Sequence, residues 1–338
     1  MFNIYFLLNI ILSVLCLYAF VNKRLIIGKY LNILDKPRKN KIHINPTPLI
    51  GSYSIVIICF INLIYFNSDL DNDLDLIFFS SFIFFLLGYI DDRFDVNAYN
   101  KLLVSVIILF VVNSFTETFY LKHIYIATLN KHLVFDNFLS NLFTIFCILS
   151  LINALNLSDG INGLASGFAG IWLFSLGLIS ANEVKIFLLI ISIFILINSF
   201  FIIEEKFFLG DSGSLFLGCF VSLSTIYVYN NLLINGKLIP VEKIFIFFMI
   251  PGIDMLRLFI IRLKNKRNPF SRDLDHLHHI LLKLFKLKKT LLIYFLAFIT
   301  TNYLSFFNIF KPTTIIFIYL LIYIFFILFF KKKFINSS

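Results

Sequence analysis

The chain has 338 residues, 59% of them hydrophobic and only 14% charged, and its mean hydropathy is +0.92. With 45 phenylalanines, that usage lies outside soluble globular domains and excludes a water-soluble enzyme or a disordered chain. The net charge of +10 does not call for nucleic acid, because a basic loop surface is ordinary electrostatics for a membrane protein and also suits anionic substrates.

A bilayer core of ~30 Å takes about 20 apolar helical residues per crossing. In chain order, eleven runs qualify: 2–22, 48–66, 76–90, 102–119, 138–155, 163–180, 185–203, 214–229, 244–263, 289–308 and 312–330. They are apolar all round rather than alternating, which excludes a β-barrel. The first run is followed by Lys23 and Arg24 rather than by small residues, so it reads as a retained span and not a cleaved leader. Cys16, Cys59, Cys147 and Cys219 sit singly inside runs, without paired spacing, and read as small buried hydrophobes. The expected fold class is all-α: one polytopic, membrane-embedded domain over residues 1–338 with about 11 transmembrane helices. If the N-terminus faces out, the inward loops hold 22 Lys and Arg and the outward loops six. That bias places the N-terminus outside and the C-terminus in the cytoplasm.

On this topology five polar segments emerge on the same, cytoplasmic face: LDKPRKNKIHINPTP (34–48), DDRFDVNAYNK (91–101), NALNLSDGINGLASG (153–167), FLGDSGS (208–214) and NPFSRDLDHLHH (268–279). Polar groups cost on the order of 2.5–3.5 kcal/mol each at the centre of a span, so a set converging on one face points to a site. If the helix ending in SFIFFLLGYI runs on, Asp91, Asp92 and Asp95 share one face. Clustered carboxylates repel, and a divalent cation such as magnesium, which favours carboxylates together with phosphates, would neutralise them. FLGDSGS sets Asp211 between Gly210 and Gly213, where backbone can approach a ligand closely, with Ser212 or Ser214 as a helix cap and the helix N-terminus as an anion site. In the third segment Asn153, Asn156, Asn162 and Asp159 are interspersed with glycines. That composition suits a broken helix lining a polar cavity, where amides ligate a hard cation or hold a sugar or a base. His276, His278 and His279 fall within four residues. Phosphate contact is the first reading of them, a solvated loop the second and zinc the third, since no cysteine lies nearby.

Taken together, these motifs resemble the polyprenyl-phosphate N-acetylhexosamine-1-phosphate transferases, the glycosyltransferase group related to phospho-MurNAc-pentapeptide transferase. The resemblance runs from DKPRKNKIHINPTPLIG (35–51) to HLHHILL (276–282), and the histidine loop is similar to that of the branch using UDP-N-acetylglucosamine and its relatives. It implies that Asp91 and Asp92 lie at the reaction centre, that Asp211 binds Mg2+ (with Mn2+ as the alternative ion) and that Asn156 is a second ligand. It further implies that Asp159 serves catalysis by helping to build the nucleotide-sugar site and that Phe208 stacks on uracil. Lys41, His43, Lys101, Asn162, His276, His278 and His279 complete the substrate contacts. Two departures stand out: Asn162 occupies a position where many members have Asp, and Ser52 follows Gly51 where a second Gly is usual. The first alters nucleotide or sugar contacts, and the second is expected to change only packing.

The implied activity is transfer of a HexNAc-1-phosphate, foremost GlcNAc-1-phosphate, from a UDP-sugar to undecaprenyl phosphate with release of UMP. It would take place on the cytoplasmic face of the bacterial inner membrane and initiate a cell-surface glycan. The membrane is a partner, nucleic acid is not, and a homodimer is allowed. Asp91 deprotonates or orients the acceptor phosphate, or a carboxylate is a transient nucleophile; both routes remain open at this stage. An intramembrane prenyltransferase using DDRFD as a DDxxD motif is the alternative enzyme. It needs a second aspartate-rich motif on the same side, and the Asp71, Asp73 and Asp75 cluster is expected outside. A transporter would explain the helices but neither GDSGS nor HLHH, and no inverted repeat is visible.

Overall fold

A computed structural model describes residues 4–35, 46–66, 72–180, 182–234, 236, 239–268 and 275–335. Twelve α-helices and two short strand pairs follow one another among them, and they sort into two compact units, residues 1–121 with 137–235 and residues 122–136 with 236–338.

The first unit holds α1 (Ile4–Tyr30), β1 (Leu34–Asp35), β2 (Thr47–Pro48), α2 (Gly51–Phe66), α3 (Asn72–Phe94), α4 (Ala98–Phe115), α5 (Asn137–Ser158), α6 (Leu164–Ile179), α7 (Asn182–Ile203) and α8 (Gly210–Ile234). Its centre is α8, buried from Ser212 to Tyr229, with α3 and α5 packed along it. A helix covered on all sides must satisfy its polar groups internally. Ser222 and Thr225 do so by donating to the carbonyls of Gly218 and Val221, at 2.6 and 2.7 Å. Gly88 lets α3 touch the start of α8, since a Cβ there would run into the backbone of Asp211 and Ser212. At the other side of the unit an amide ladder joins α1 to α2: Asn9 donates to Asn62 at 2.8 Å, and Asn62 donates to Ser13 at 3.2 Å. Such interhelical bonds are worth about 0.6 kcal/mol each in a membrane.

The second unit holds a hairpin, β3 (His123–Ile126) with β4 (Lys131–Val134), and the helices α9 (Val241–Lys264), α10 (Leu277–Leu284), α11 (Leu287–Phe306) and α12 (Pro312–Ile335). Glu242, in the first turn of α9, accepts from the N–H groups of Ala127 and Thr128 (3.2 and 3.0 Å) and from the Thr128 hydroxyl (2.7 Å). It thereby ties the hairpin turn to the helix.

Every one of the eleven apolar runs lies within or largely within a helix. Eight of the described helices are long and apolar enough to cross a membrane; α2 and α6 are apolar but have only 16 residues each. The chain is thus an all-α polytopic membrane protein. The boundaries moved where backbone bonding outlasts apolarity: α1 continues to Tyr30 through Lys23, Arg24 and Lys29. Three elements were not expected: the β1–β2 pair before α2, the β3–β4 hairpin in a loop between runs, and α10 in the basic loop that carries the histidines.

Candidate active site

Asp91 and Asp92 stand in the last turn of α3, and Asp211 in the first turn of α8. One Oδ of Asp92 accepts the N–H of Asp211 at 2.8 Å and the other accepts the N–H of Ser212 at 3.0 Å. A carboxylate on the exposed N–H groups of a helix start satisfies orphan donors and meets the positive end of the helix dipole. Gly210, at φ +77, makes the turn that permits this, and its missing side chain leaves room, because a Cβ would stand 2.8 Å from the Asp92 carboxylate. The N-terminus expected to receive a phosphate therefore receives Asp92. Ser212 and Ser214 are not its caps: the Ser212 hydroxyl pairs with that of Ser52 at 2.9 Å, and Ser214 donates to the carbonyl of Asp211 at 3.3 Å. The serine after Gly51 thus ties α2 to α8 and does more than fill space.

Asp91 is buried, 3% exposed. It accepts the N–H of Val96 at 2.8 Å and pairs with the ammonium of Lys101, which reaches back from the first turn of α4. The same ammonium lies 3.7 Å from Asp211. Asp159 follows the last turn of α5, and its carboxyl is held well above the usual carboxylate range by burial and by the charges of Asp211 and Asp92. Four carboxylates, Asp91, Asp92, Asp159 and Asp211, thus lie within reach of one another's charge, and Lys101 pairs with Asp91 and approaches Asp211. Asn156 and Asn162 sit three residues to either side of Asp159, one in the last turn of α5 and one in the turn before α6. Asn153 donates to the carbonyl of Leu149 in its own helix at 2.9 Å.

Asp95 does not join the group. The helix ends at Phe94, and Asp95 takes a left-handed backbone, φ +52, with its side chain exposed. The expected shared face fails because the chain turns there to place Asn97, the N-cap of α4.

Phe208 is half-buried and fixed by its backbone: its N–H donates to the Pro48 carbonyl and its own carbonyl accepts from the Gly51 N–H, both at 2.9 Å. These bonds put the segment ending in NPTPLIG beside FLGDSGS. Lys41 and His43, from the same segment, lie outside the described residues, as does Asp273.

The histidines belong to the second unit. His276 and His278 are buried and their rings stack with centroids 5.1 Å apart; His279 is half-buried, its ring 4.3 Å from that of His278. His276 and His278 gather around Asp254 of α9, which sequence reasoning missed. Asp254 accepts from His276 Nδ1 (2.9 Å), the Leu277 N–H (3.1 Å), Arg257 (2.9 Å) and the Tyr323 hydroxyl (2.6 Å). A signal was present: Asp254 and Arg257 are an i, i+3 pair of ionisable residues inside an apolar run, which is rare without a role.

The family model described as glycosyl transferase family 4 matches residues 74–229. An undecaprenyl-phosphate alpha-N-acetylglucosaminyl 1-phosphate transferase of Thermotoga maritima is 28% identical over 268 residues, covering 79% of each chain. A probable undecaprenyl-phosphate N-acetylglucosaminyl 1-phosphate transferase of Bacillus subtilis is 27% identical, covering 79% of this chain and 75% of its own. An undecaprenyl-phosphate alpha-N-acetylglucosaminyl 1-phosphate transferase of Escherichia coli is 25% identical over 76% and 71%. DDRFD, NLSDG and GDSGS all lie inside the stretch in which the chain is similar to glycosyl transferase family 4, so the likeness falls on the residues that build this site.

Proposed function

We propose that this protein transfers GlcNAc-1-phosphate from UDP-GlcNAc to undecaprenyl phosphate and releases UMP, with its site on the cytoplasmic face of a bacterial inner membrane crossed eleven times. The observation that carries the reading is the clasp of Asp92 on the start of α8, which brings the first two aspartates of DDRFD to Asp211 of GDSGS, with Lys101 paired to Asp91 and close to Asp211. The relatives' names supply the acceptor and the sugar; the basic inward loops favour an anionic, soluble donor.

The carboxylates suit a magnesium ion, because four of them with one ammonium leave an excess of negative charge and Asp159 is already disfavoured as an anion. Asp211 and Asn156 are the residues that would hold it. When bound, the ion supplies charge neutralisation to the diphosphate and to the leaving UMP. Asp92 keeps the α8 start in place through both its oxygens. Asp91, set by Lys101 and the Val96 N–H, orients the acceptor phosphate or takes its proton. Because Asp92 has an N–H on each oxygen and Asp91 is paired to Lys101, direct attack by the lipid phosphate is favoured over a carboxylate nucleophile.

One phosphoanhydride is broken and one is made, so the reaction runs near equilibrium and is reversible. Purified protein given Mg2+, labelled UMP, unlabelled UDP-GlcNAc and undecaprenyl phosphate is expected to carry label into the UDP-sugar. Exchange without lipid would indicate a covalent enzyme and overturn the direct route. No exchange with any UDP-HexNAc would overturn the function and return the DDxxD prenyltransferase to consideration.

A further inference from the structure

Within the second unit the Asp254 carboxylate is fully engaged. Its Oδ1 takes the Tyr323 hydroxyl at 2.6 Å and Arg257 Nη2 at 2.9 Å; its Oδ2 takes His276 Nδ1 at 2.9 Å and the N–H of Leu277 at 3.1 Å. Arg257 is held in turn by the Tyr323 oxygen at 2.6 Å and the Asp275 carbonyl at 2.7 Å. Around this saturated centre two polar atoms stand out. Nε2 of His276 and Nε2 of His278 are both buried without a hydrogen-bond partner among the described residues, on rings nearly parallel at 11°. A buried polar atom left without a partner costs about 1–3 kcal/mol, so two on adjacent rings mark a place completed by a ligand.

The ligand's charge follows from the neighbours. Asp254, His276 and His278 offer donor atoms within 4.8 Å of one another, the spacing of a metal site. A cation there would have to take an Asp254 lone pair from one of these donors and sit beside the Arg257 guanidinium. An anion displaces nothing: it accepts from His276 Nε2–H, while Nδ1–H stays on Asp254 and the guanidinium keeps the local charge from turning negative. His278 is held well below the ordinary histidine range, first by burial and then by the neighbouring His279 and His276. It is therefore a neutral ring stacked against that of His276.

We propose that Asp254 is a positioning residue for the transfer step: it fixes the His276 ring through Nδ1 and so presents Nε2 to an anionic oxygen of the nucleotide sugar. The proposal rests on the transferase reading above. Asp254→Asn provides the perturbation: the guanidinium, the stronger donor, keeps the amide oxygen, so the NH2 takes the place of Oδ2, where it removes the acceptor for Nδ1–H and faces the N–H of Leu277 donor to donor, which pushes the start of α10 and the His276 ring from their place.

The test is 15N-histidine NMR of the full chain in nanodiscs, with the His276 signal identified by its loss in His276→Gln. The native chain is expected to show His276 protonated at Nδ1, and its Nε2 resonance is expected to move on addition of UDP-GlcNAc. Asp254→Asn is expected to reverse the Nδ1 protonation and to lower kcat about 100-fold, the scale of a misplaced group. His276→Gln should cost the same, and the double variant no more, because the two act as a unit. A native His276 protonated only at Nε2, a signal unmoved by UDP-GlcNAc, or losses that multiply in the double variant would overturn the proposal. So would stoichiometric zinc binding that shifts both Nε2 signals. If Asp254→Asn does not insert, the native spectra with and without UDP-GlcNAc decide. A native chain that transfers no sugar phosphate defeats the transferase reading, whereas transfer with an unmoved His276 defeats only the proposal.

Discussion

Two helices in this protein begin on a carboxylate supplied by another helix, and the two starts differ in what they leave over. α8 begins on Asp92 of α3, beside which Asp91 and Asp211 share a single lysine and Asp159 feels the charges of Asp211 and Asp92. α10 begins on Asp254 of α9, where one carboxylate is covered by Arg257, Tyr323, His276 and the Leu277 N–H, and imidazole nitrogens are left without partners. The first region has negative charge in excess; the second has donors in excess. Buried charge is costly unless compensated, so each surplus indicates the complement it is built to meet, a cation in one unit and an anionic oxygen in the other.

The largest expected effect breaks the first region alone. Asp211→Asn keeps the backbone N–H that Asp92 accepts and removes the charge offered to a hard cation. Transfer is expected to fall about 10³-fold, the scale of losing one preorganised electrostatic group, while the melting temperature holds. A variant with near-native turnover in magnesium would remove Asp211 from the centre of the account.

Asp92→Asn separates the clasp from the chemistry. One oxygen becomes an NH2 facing a backbone N–H, so the helix start loses one of its two acceptors and gains a donor against a donor. The expected cost is about 2 kcal/mol, a drop of about 4–8 °C in melting temperature, with transfer lost alongside. An Asp92→Asn protein that melts like the native chain would show that the carboxylate is not holding α8.

Asp159→Asn is expected to move stability the other way. Its folded pKa is raised, so the folded state binds the proton more tightly than the unfolded chain does, and the native protein loses stability as pH rises from the ordinary Asp value through the raised one. The amide removes that loss. At neutral pH the variant is expected to melt about 2–4 °C higher, and the gain should vanish toward acid. A lower melting temperature, or a gain independent of pH, would mean that the like charges of Asp92 and Asp211 are already compensated.

Much of this was legible in the sequence, and the omissions have physical causes. Period and apolarity locate the helices because a span must satisfy its backbone internally. They do not locate the β3–β4 hairpin, whose strands of four residues carry no burial pattern beyond Ile124. Asp91, Asp92, Asp159 and Asp211 were recognisable as a set from their glycine- and polar-rich settings. The clasp was not, because Asp92 and Asp211 are 119 residues apart. Asp95 was misplaced because helical spacing was carried one turn beyond the helix end. Asp254 was overlooked because its run reads as an ordinary span with one arginine in it, and only the fold shows that His276 completes the pair.

Asp95→Asn, the smallest effect, checks that correction. Asparagine tolerates the left-handed backbone, and the side chain is exposed, so transfer is expected to stay within about twofold, as for a surface substitution away from any special feature. A loss comparable to that of Asp211→Asn would restore Asp95 to the site and the longer helix with it.

The most direct measurement is incubation of membranes carrying this protein with undecaprenyl phosphate, Mg2+ and a panel of UDP-HexNAc donors, followed by mass spectrometry of the lipid fraction. The account predicts a lipid heavier by one HexNAc-phosphate, greatest with UDP-GlcNAc, equimolar UMP, and neither in Asp211→Asn membranes. A lipid product of equal yield from the Asp211→Asn protein, or none from the native protein with any donor, would contradict it.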